Sequence, residues 1–479
     1  MSKSTSKWWV LLSIGLGVLM FSVDISIVYV SLPTLVETFH TSFATIQWVT
    51  LSYLLVIAIL IIGVGRLGDM FEKKKLYLVG LLIFTLGSLL CGLAPTVSFL
   101  IGFRSIQGLG AVFISALGAA IVTEVFAVSG RGLALGIIGG IGSLGVILGP
   151  MLGGLLLDLG SWHLIFLVNV PIGIVTSAIV IYAVPSSLSP QTQHNFDILG
   201  ALMMALTLSC LALGMTFGQV EGFDTPISIA LLMIAAIGFT GFLGVEAWVL
   251  DPMLDLGIFR NLKFSLSLLV GWIMYTIMAG TVFILPFFLE LVEHYSVRKV
   301  GLLQAVLPIA VGLVEPISGS LSDRFGWRII SLIGLIAMVG GCLTIGTLDT
   351  NLTTTGYIVR MIPLGVGMGI FISPNNTAIM SSVPQERLGV ASALLSLCRV
   401  LGHMLGVPLL GSLFITLSLT KAKLAENFDL TNTDITNISI PALMFAENST
   451  FYIAACILAI AVMLLIYGTL QDRSDIKSG

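Results

Sequence analysis

Charge is scarce in this chain. Of its 479 residues, 21 are Lys or Arg and 24 are Asp or Glu, so only 9% carry a charge, against about a quarter in ordinary soluble domains. So few charges cannot cover a water-facing surface. A soluble globular protein is thereby excluded, and lipid is left as the main solvent. The net charge of −3 is too small to imply nucleic-acid binding. Cysteine is scarce too. Cys91, Cys210, Cys342, Cys398 and Cys456 all fall in apolar runs without metal-ligand spacing, and they read as small core residues. There is no nucleophile-and-base set, phosphate loop or metal cluster, so no enzyme chemistry, metal or cofactor is expected.

What the chain has instead is apolar length. It is 57% hydrophobic, with a mean hydropathy of +1.09. Runs of about 18 to 27 apolar residues number fourteen. They lie near 9–32, 45–65, 76–94, 97–122, 132–157, 164–184, 197–218, 226–248, 265–290, 300–320, 329–347, 356–380, 388–416 and 449–469. The first is a full span without a small-residue cleavage site, so it reads as retained rather than as a signal peptide. An even number of spans puts both termini on one side. Basic residues choose the side, because cytoplasmic loops collect Lys and Arg. With the termini inside, the inner segments hold Lys3, Lys7, Arg66, Lys73, Lys74, Lys75, Arg131, Arg260, Lys263, Arg324, Arg328, Arg387, Arg473 and Lys477. The outer segments hold only Arg298, Lys299, Lys421 and Lys423. Cytoplasmic termini are the expectation.

An internal repeat organises the spans. Gly65-Arg-Leu-Gly-Asp69 recurs as Gly319-Ser-Leu-Ser-Asp323 at an offset of 254, and Leu32-Pro33 as Leu285-Pro286 at 253. Arg104 answers to Arg360 at 256, and Gly149-Pro150 to Val407-Pro408 at 258. Four landmarks near one offset imply two six-helix bundles, residues 1–190 and 256–479, with 191–255 as two inserted helices. Parallel repeats around a central site are the plan of a rocking transporter. Residues 417–448, polar and rich in Asn and Thr, read as an external loop. Asn351, Asn437 and Asn448 begin glycosylation sequons, a pattern short enough to arise by chance.

The fifth span carries a glycine track. Gly136 and Gly140, then Gly145, Gly149 and Gly153, recur every four residues and leave a bare face for close helix packing. Pro150 removes one backbone hydrogen bond there. The stretch reads as a packing hinge, and with its echo at Pro408 as a seam that seals the outer side where the bundles meet. Ordinary close packing is the plainer alternative.

A few polar residues lie inside the spans. A charged carboxylate at mid-span costs about 2.5–3.5 kcal/mol on insertion scales, so Asp24 must pair, face a cavity or bind a proton. Arg104 is its natural partner, since the two lie about nine and about seven residues below the outer surface. Proton coupling and structural hydrogen bonding are both open for Asp24. For Arg104 the plainer alternative is helix bracing. Glu315, just before Pro316, is placed to attract a cationic substrate, to carry a second proton or to serve structure. Asn375 and Asn376 beside Pro374 mark a polar interruption that contacts substrate or satisfies freed carbonyls. Arg399 and His403, four apart, share a helix face and line a cavity or brace a packing contact. Glu290 and Glu293 with His294 read as a solvated mouth. On the inner side Arg66, Asp69 and Lys73–Lys75, repeated as Asp323 and Arg324, suit a charge latch in which Asp69 accepts from a neighbouring helix N-terminus and from arginine.

These residues resemble a known family. Gly65-Arg-Leu-Gly-Asp-Met-Phe-Glu-Lys-Lys-Lys75 is similar to the loop signature GxLaDrxGrk of the major facilitator superfamily. Leu100 to Gly110 resembles its fourth-span signature, with the family's arginine at Arg104. Gly145 to Gly154 resembles the fifth-span antiporter signature gxxxGPxxGG. Asp24 to Pro33 and Trp162 to Gly173 are similar to patterns of its fourteen-span drug:proton antiporter group. The chain departs at Glu72, where the signature has Gly, at Tyr29 for Asn, at His163 for Arg, and at Glu290 for Gln. The resemblance implies an all-α polytopic membrane protein of that fold, with two six-helix bundles plus two helices. It implies a monomer in the cell membrane, among lipids, that exports small hydrophobic compounds, cationic ones included, in exchange for protons. In relatives the arginine at Arg104 is held to assist proton transfer. An exporter of one endogenous metabolite or lipid, a proton-coupled importer, and a non-transporting sensor or scaffold remain as alternatives.

Overall fold

The computed structural model describes residues 3–41, 43–126, 130–159, 161–185, 197–249, 252, 254–295, 297–350, 352–384, 387–426 and 439–478. Among these residues every regular element is a helix. In chain order they are α1 (Lys3–Phe39), α2 (Phe43–Met70), α3 (Lys73–Cys91), α4 (Val97–Val125), α5 (Arg131–Asp158), α6 (Leu164–Leu167), α7 (Asn169–Ala183), α8 (Ile198–Glu221) and α9 (Pro226–Trp248). There follow α10 (Leu262–Phe287), α11 (Val297–Gln304), α12 (Val306–Phe325), α13 (Trp327–Ile345), α14 (Thr354–Met380), α15 (Leu388–Glu426) and α16 (Ile440–Ser478). Fourteen stretches are long and apolar enough to cross a membrane. The protein is a multi-pass membrane protein.

Two spans are divided by proline. Pro171 has no N–H to give the carbonyl of Leu167, and α6 passes to α7 there; Pro308 likewise has none to give the carbonyl of Gln304 between α11 and α12. Span hydroxyls mostly bond back to the carbonyl one turn earlier, as Ser88 does to Phe84 (2.8 Å) and Thr281 to Ile277 (2.8 Å). Gly326, with φ +88°, closes the turn from α12 to α13 in a region that any other residue enters only under strain.

The chain forms two compact units. The first comprises 1–265 with 376–400, the second 266–375 with 401–479. In the first, α5 lies along α1, α4 packs on both α2 and α3, and α8 and α9 pair with each other, α8 also resting on α2. Its core includes Ile27, Val28, Leu100, Trp162 and Phe166. In the second, α16 packs along α13, within a core holding Met338, Tyr357, Phe371 and Leu458.

The described parts of the region expected as an external loop, 417–448, are almost entirely helix. α15 runs on to Glu426 and α16 begins at Ile440. Residues 417–426 are less apolar than a span, yet Leu, Lys, Ala and Glu are strong helix formers, so the helix outlasts the hydrophobicity. Asn448 is consequently helical rather than an exposed sequon, while Asn351 and Asn437 lie outside the described residues. The expected interruption at Pro374 is absent too. α14 continues through Pro363 and Pro374. Cys91, Cys210 and Cys342 are core residues as expected, whereas Cys456 is exposed.

Candidate functional site

A polar network fills the interior of the first unit. Asp24 of α1 and Arg104 of α4 are both 0% exposed, and Arg104 Nη1 donates to Asp24 Oδ2 over 2.7 Å. The other carboxylate oxygen, Oδ1, accepts from Gln107 Nε2 (2.8 Å) and from Asn169 Nδ2 (2.9 Å). Gln107, one turn beyond Arg104 on the same face of α4, also accepts from Arg104 Nη1 (2.6 Å) and donates to Ser88 Oγ of α3 (2.8 Å). Its amide is thus fully used. Asn169 opens α7 beside the helix division that Pro171 imposes, which is how the sixth span reaches this depth. Arg104 is further braced by the Val49 carbonyl (3.0 Å) and by the Tyr53 ring, 4.1 Å from the guanidinium.

An ion pair buried to this degree gains little net stability, because desolvation offsets the Coulomb attraction. Its chemistry is more informative. Arg104 Nη2 and Asn169 Oδ1 are buried without a hydrogen-bond partner among the described residues, so the network retains spare donor and acceptor capacity. A proton taken up by Asp24 would remove the charge that Arg104 now pairs.

The glycine track adjoins this network. A Cβ at Gly145 would lie 2.6 Å from Ser22 Cβ and 2.9 Å from the Leu19 carbonyl, and one at Gly149 would fall on Ser26 Oγ and 2.9 Å from Ile27 N. Ser26 Oγ in turn donates toward the Gly145 carbonyl (3.2 Å). Gly140 and Gly153 are buried in the same helix, which runs unbroken through Pro150. The track therefore meets α1 of its own unit. In the second unit Gly402 would meet Tyr275 Cβ at 2.5 Å and Gly406 would meet Ala279 Cβ at 2.8 Å, both on α10. Packing thus matches Gly145 and Gly149 to Gly402 and Gly406, an offset of 257, one less than the Gly149–Val407 alignment gives. Pro408 lies buried two residues further along an unbroken α15.

At the end of α2, Asp69 accepts from the backbone N–H of Gly389 (2.8 Å) and of Val390 (3.1 Å), in the first turn of α15. These are unpaired donors at the positive end of a helix. Lys73, 3.9 Å from Asp69 and 2.7 Å from Glu124, is the cation that pairs there. Arg66 acts on Asp69 through its charge. Glu72, where the loop signature has Gly, sits at φ −62° and needs no glycine; it pairs with Lys75 at 3.0 Å.

A sequence model described as the Major Facilitator Superfamily matches residues 14–407. The chain belongs to this superfamily. The riboflavin transporter RibZ of Clostridioides difficile is 31% identical over 465 residues, covering 96% of this chain and 97% of that one. The multidrug resistance protein Stp of Mycobacterium tuberculosis is 32% identical over 403 residues, covering 84% and 75%. Among solved structures, the human organic anion transporter MFSD10 superposes with a TM-score of 0.67 at 14% identity, covering 96% and 99%. The proton:xylose symporter XylE gives 0.66 at 14%, covering 97% and 96%. Their likeness establishes the fold.

The major facilitator repeat is not echoed at every site residue. Arg360, the counterpart of Arg104, bonds Thr347 Oγ1 and the Gly356 carbonyl, each at 3.3 Å, rather than a carboxylate. Asp323 and Arg324 are exposed, whereas the side chain of Asp69 is 5% exposed where it caps α15. Glu315 is 1% exposed in α12, beside Ser318, which donates to the Gly369 carbonyl at 2.7 Å. It belongs to the second unit, whereas Asp24 belongs to the first. Asn375 donates to the Ser267 carbonyl of α10 (3.1 Å), and Asn376 is buried next to it. Arg399 and His403 are half-buried, the His403 ring 6.2 Å from that of Tyr275.

Gln107, Asn169, Glu124 and Glu447 are polar site or core residues that sequence reasoning passed over. The first two lay within the signature stretches already singled out. Gln107 is marked only by its place one turn from Arg104 on the same helix, and Asn169 only by its place two residues before Pro171.

Proposed function

We propose that this transporter exports small hydrophobic compounds, cationic ones among them, in exchange for protons. It does so as a monomer in the cell membrane with both termini in the cytoplasm. The observation that carries this reading is the burial of Asp24 against Arg104, Gln107 and Asn169. A carboxylate in such surroundings is a proton carrier if the two transport states differ in their affinity for the proton, the condition for coupling. Arg104 takes over the displaced charge. One charge crossing about 100 mV yields about 2.3 kcal/mol, enough for a substrate gradient of about fifty-fold. The repeat supplies the moving halves, 1–190 and 256–479. The inserted pair of 191–255 rides with the first through the contact of α8 with α2. Glu315 carries a second proton or draws a cation, and Asn375, Asn376, Arg399 and His403 line the substrate path. The α5 and α15 glycine faces act as hinge and seal, with Asp69 as inner latch. Relatives named for multidrug resistance and for tetracenomycin C export support the direction and breadth of transport.

A second reading has its own support: the match to a riboflavin transporter covers nearly all of both chains. On that reading the protein carries one metabolite. Proteoliposomes with an imposed pH gradient and a lumenal pH dye separate the two, given ethidium, a neutral lipophilic dye and riboflavin in turn. Movement of the first two coupled to proton flux, lost in Asp24→Asn, supports the exporter. Movement of riboflavin alone supports the second reading. Undiminished substrate-linked proton flux in Asp24→Asn removes Asp24 from the mechanism.

A further inference from the structure

Far from Asp24 in sequence, and besides Glu315, another carboxylate stands in the interior of the second unit. Glu447, in the second turn of α16, is 1% exposed, and neither of its carboxylate oxygens has a hydrogen-bond partner among the described residues. Tyr357 of α14, 0% exposed, lies within electrostatic reach of it, and its phenolic oxygen is also unpartnered. Among the described residues, the charged group that acts on Glu447 is another carboxylate, Glu293, one of whose oxygens is likewise buried and unpartnered.

Among the described residues, the other elements packed on α16 supply no compensating cation. α13 carries Arg328 in its first turn, at the opposite end, and the thiol of Cys342. α15 brings Lys421, whose ammonium is engaged with the Phe445 ring at 5.0 Å.

The backbone that delivers Glu293 is unusual. α10 passes into a π-helical turn, Phe288–Val292, and His294 follows with φ +54°. Such interruptions cost energy and persist where they aim a side chain. Tyr357 also lines a small, mostly apolar cavity together with Thr281 and Gln304.

A metal ion does not suit this place, since among the described residues no three His, Cys, Asp or Glu are grouped to hold one. An ionised carboxylate with neither a hydrogen bond nor a cation is strongly disfavoured inside a membrane protein. With a proton it loses that charge and gains a donor, and the Tyr357 hydroxyl within electrostatic reach can serve as an acceptor. We infer that Glu447 is a proton-binding site, separate from Asp24, that exchanges its proton with water by way of Glu293. The step balances simply: a hydronium proton passes to the Glu293 carboxylate and then to that of Glu447, and no other bond changes. Glu293, outside the spans, suits the relay. Burial holds its carboxyl above the usual carboxylate range and Asp349 adds to this, against the Leu352 N–H, Lys299 and His294.

The test is spectroscopic and needs no substrate, so it stands whether or not transport is proton-driven. Infrared spectra of the purified full-length protein are expected to show a protonated carboxylic-acid C=O band that Glu447→Gln lacks and Asp24→Asn retains. Titration should find one proton fewer bound by Glu447→Gln. Glu293→Gln should keep the band but slow its hydrogen–deuterium exchange by about a hundredfold. Tyr357→Phe, which keeps the fold if Glu447→Gln does not, should shift the band. A band at full intensity in Glu447→Gln, or unmoved in Tyr357→Phe, overturns the site. Exchange at the wild-type rate in Glu293→Gln overturns the relay.

Discussion

The N–H of Gly389 donates to Asp69 Oδ1 over 2.8 Å, although the two residues stand 320 positions apart. A carboxylate from the last turn of α2 thus caps the first turn of α15, and the missing side chain at Gly389 makes room for it: a Cβ there would fall on Asp69. Asp69→Ala removes both acceptor oxygens and is expected to cost about 0.5–2 kcal/mol, seen as a lower melting temperature in detergent. It should also speed maleimide labelling of an Ala393→Cys reporter, now 0% exposed beside Gly65. Asp69→Asn, which keeps one acceptor, should fall between. Equal labelling rates in all three would mean that the cap does not hold these helices together.

Gln107 should prove nearly as important as the ion pair it supports. Its amide touches Asp24, Arg104 and Ser88 at once. Gln107→Leu keeps the volume but leaves two charged groups each short of a hydrogen bond worth about 1.5–3 kcal/mol. Asn169→Ala removes one donor to Asp24 and nothing else of the network. Thermal melts are therefore expected to rank Gln107→Leu below Asn169→Ala. The reverse order would point to Asn169 as the anchor of the carboxylate.

Much of this was legible in the sequence, and the exceptions have physical reasons. Fourteen spans follow from apolar length, and the Asp24–Arg104 pair follows from equal depth in helices of fixed rise. The amides escaped notice because a neutral polar residue in an apolar run costs too little to demand a partner. Glu447 escaped because 417–448 lacks the hydropathy of a span, although α15 and α16 extend through most of it. The repeat offset at the glycines was misjudged by one, since proline alignment favoured Val407 where the backbone contact depends on Gly406.

Glu293 gives the molecule a pH dependence of stability with a definite sign. Burial raises its carboxyl above the unfolded value of about 4.3, so folding favours the protonated form. The contribution is fully present below the unfolded value and is lost as pH rises through the folded one. Melting temperature should therefore decline from about pH 4.3 upward in the wild type and decline less in Glu293→Gln. Parallel curves for the two proteins would show that Glu293 titrates alike in both states.

The two glycine faces set a steric limit that can be tested in both units. At Gly149 an added Cβ meets Ser26 and the backbone of Ile27, whereas at Gly154, five residues on, it meets nothing within 4 Å. Gly149→Ala must therefore push α1 and α5 apart, at a cost of about 1–3 kcal/mol, while Gly154→Ala should be neutral or slightly stabilising through helix propensity. Gly406→Ala is expected to match Gly149→Ala, because its Cβ would press on the Thr276 carbonyl and on Ala279. Adding Ser26→Gly to Gly149→Ala should recover part of the loss but not all, since Ile27 N remains 2.9 Å from the new carbon. Transport decides the role. Gly149→Leu protein that inserts normally and no longer transports makes the α1–α5 contact a working surface; a fully active variant would reduce the track to close packing.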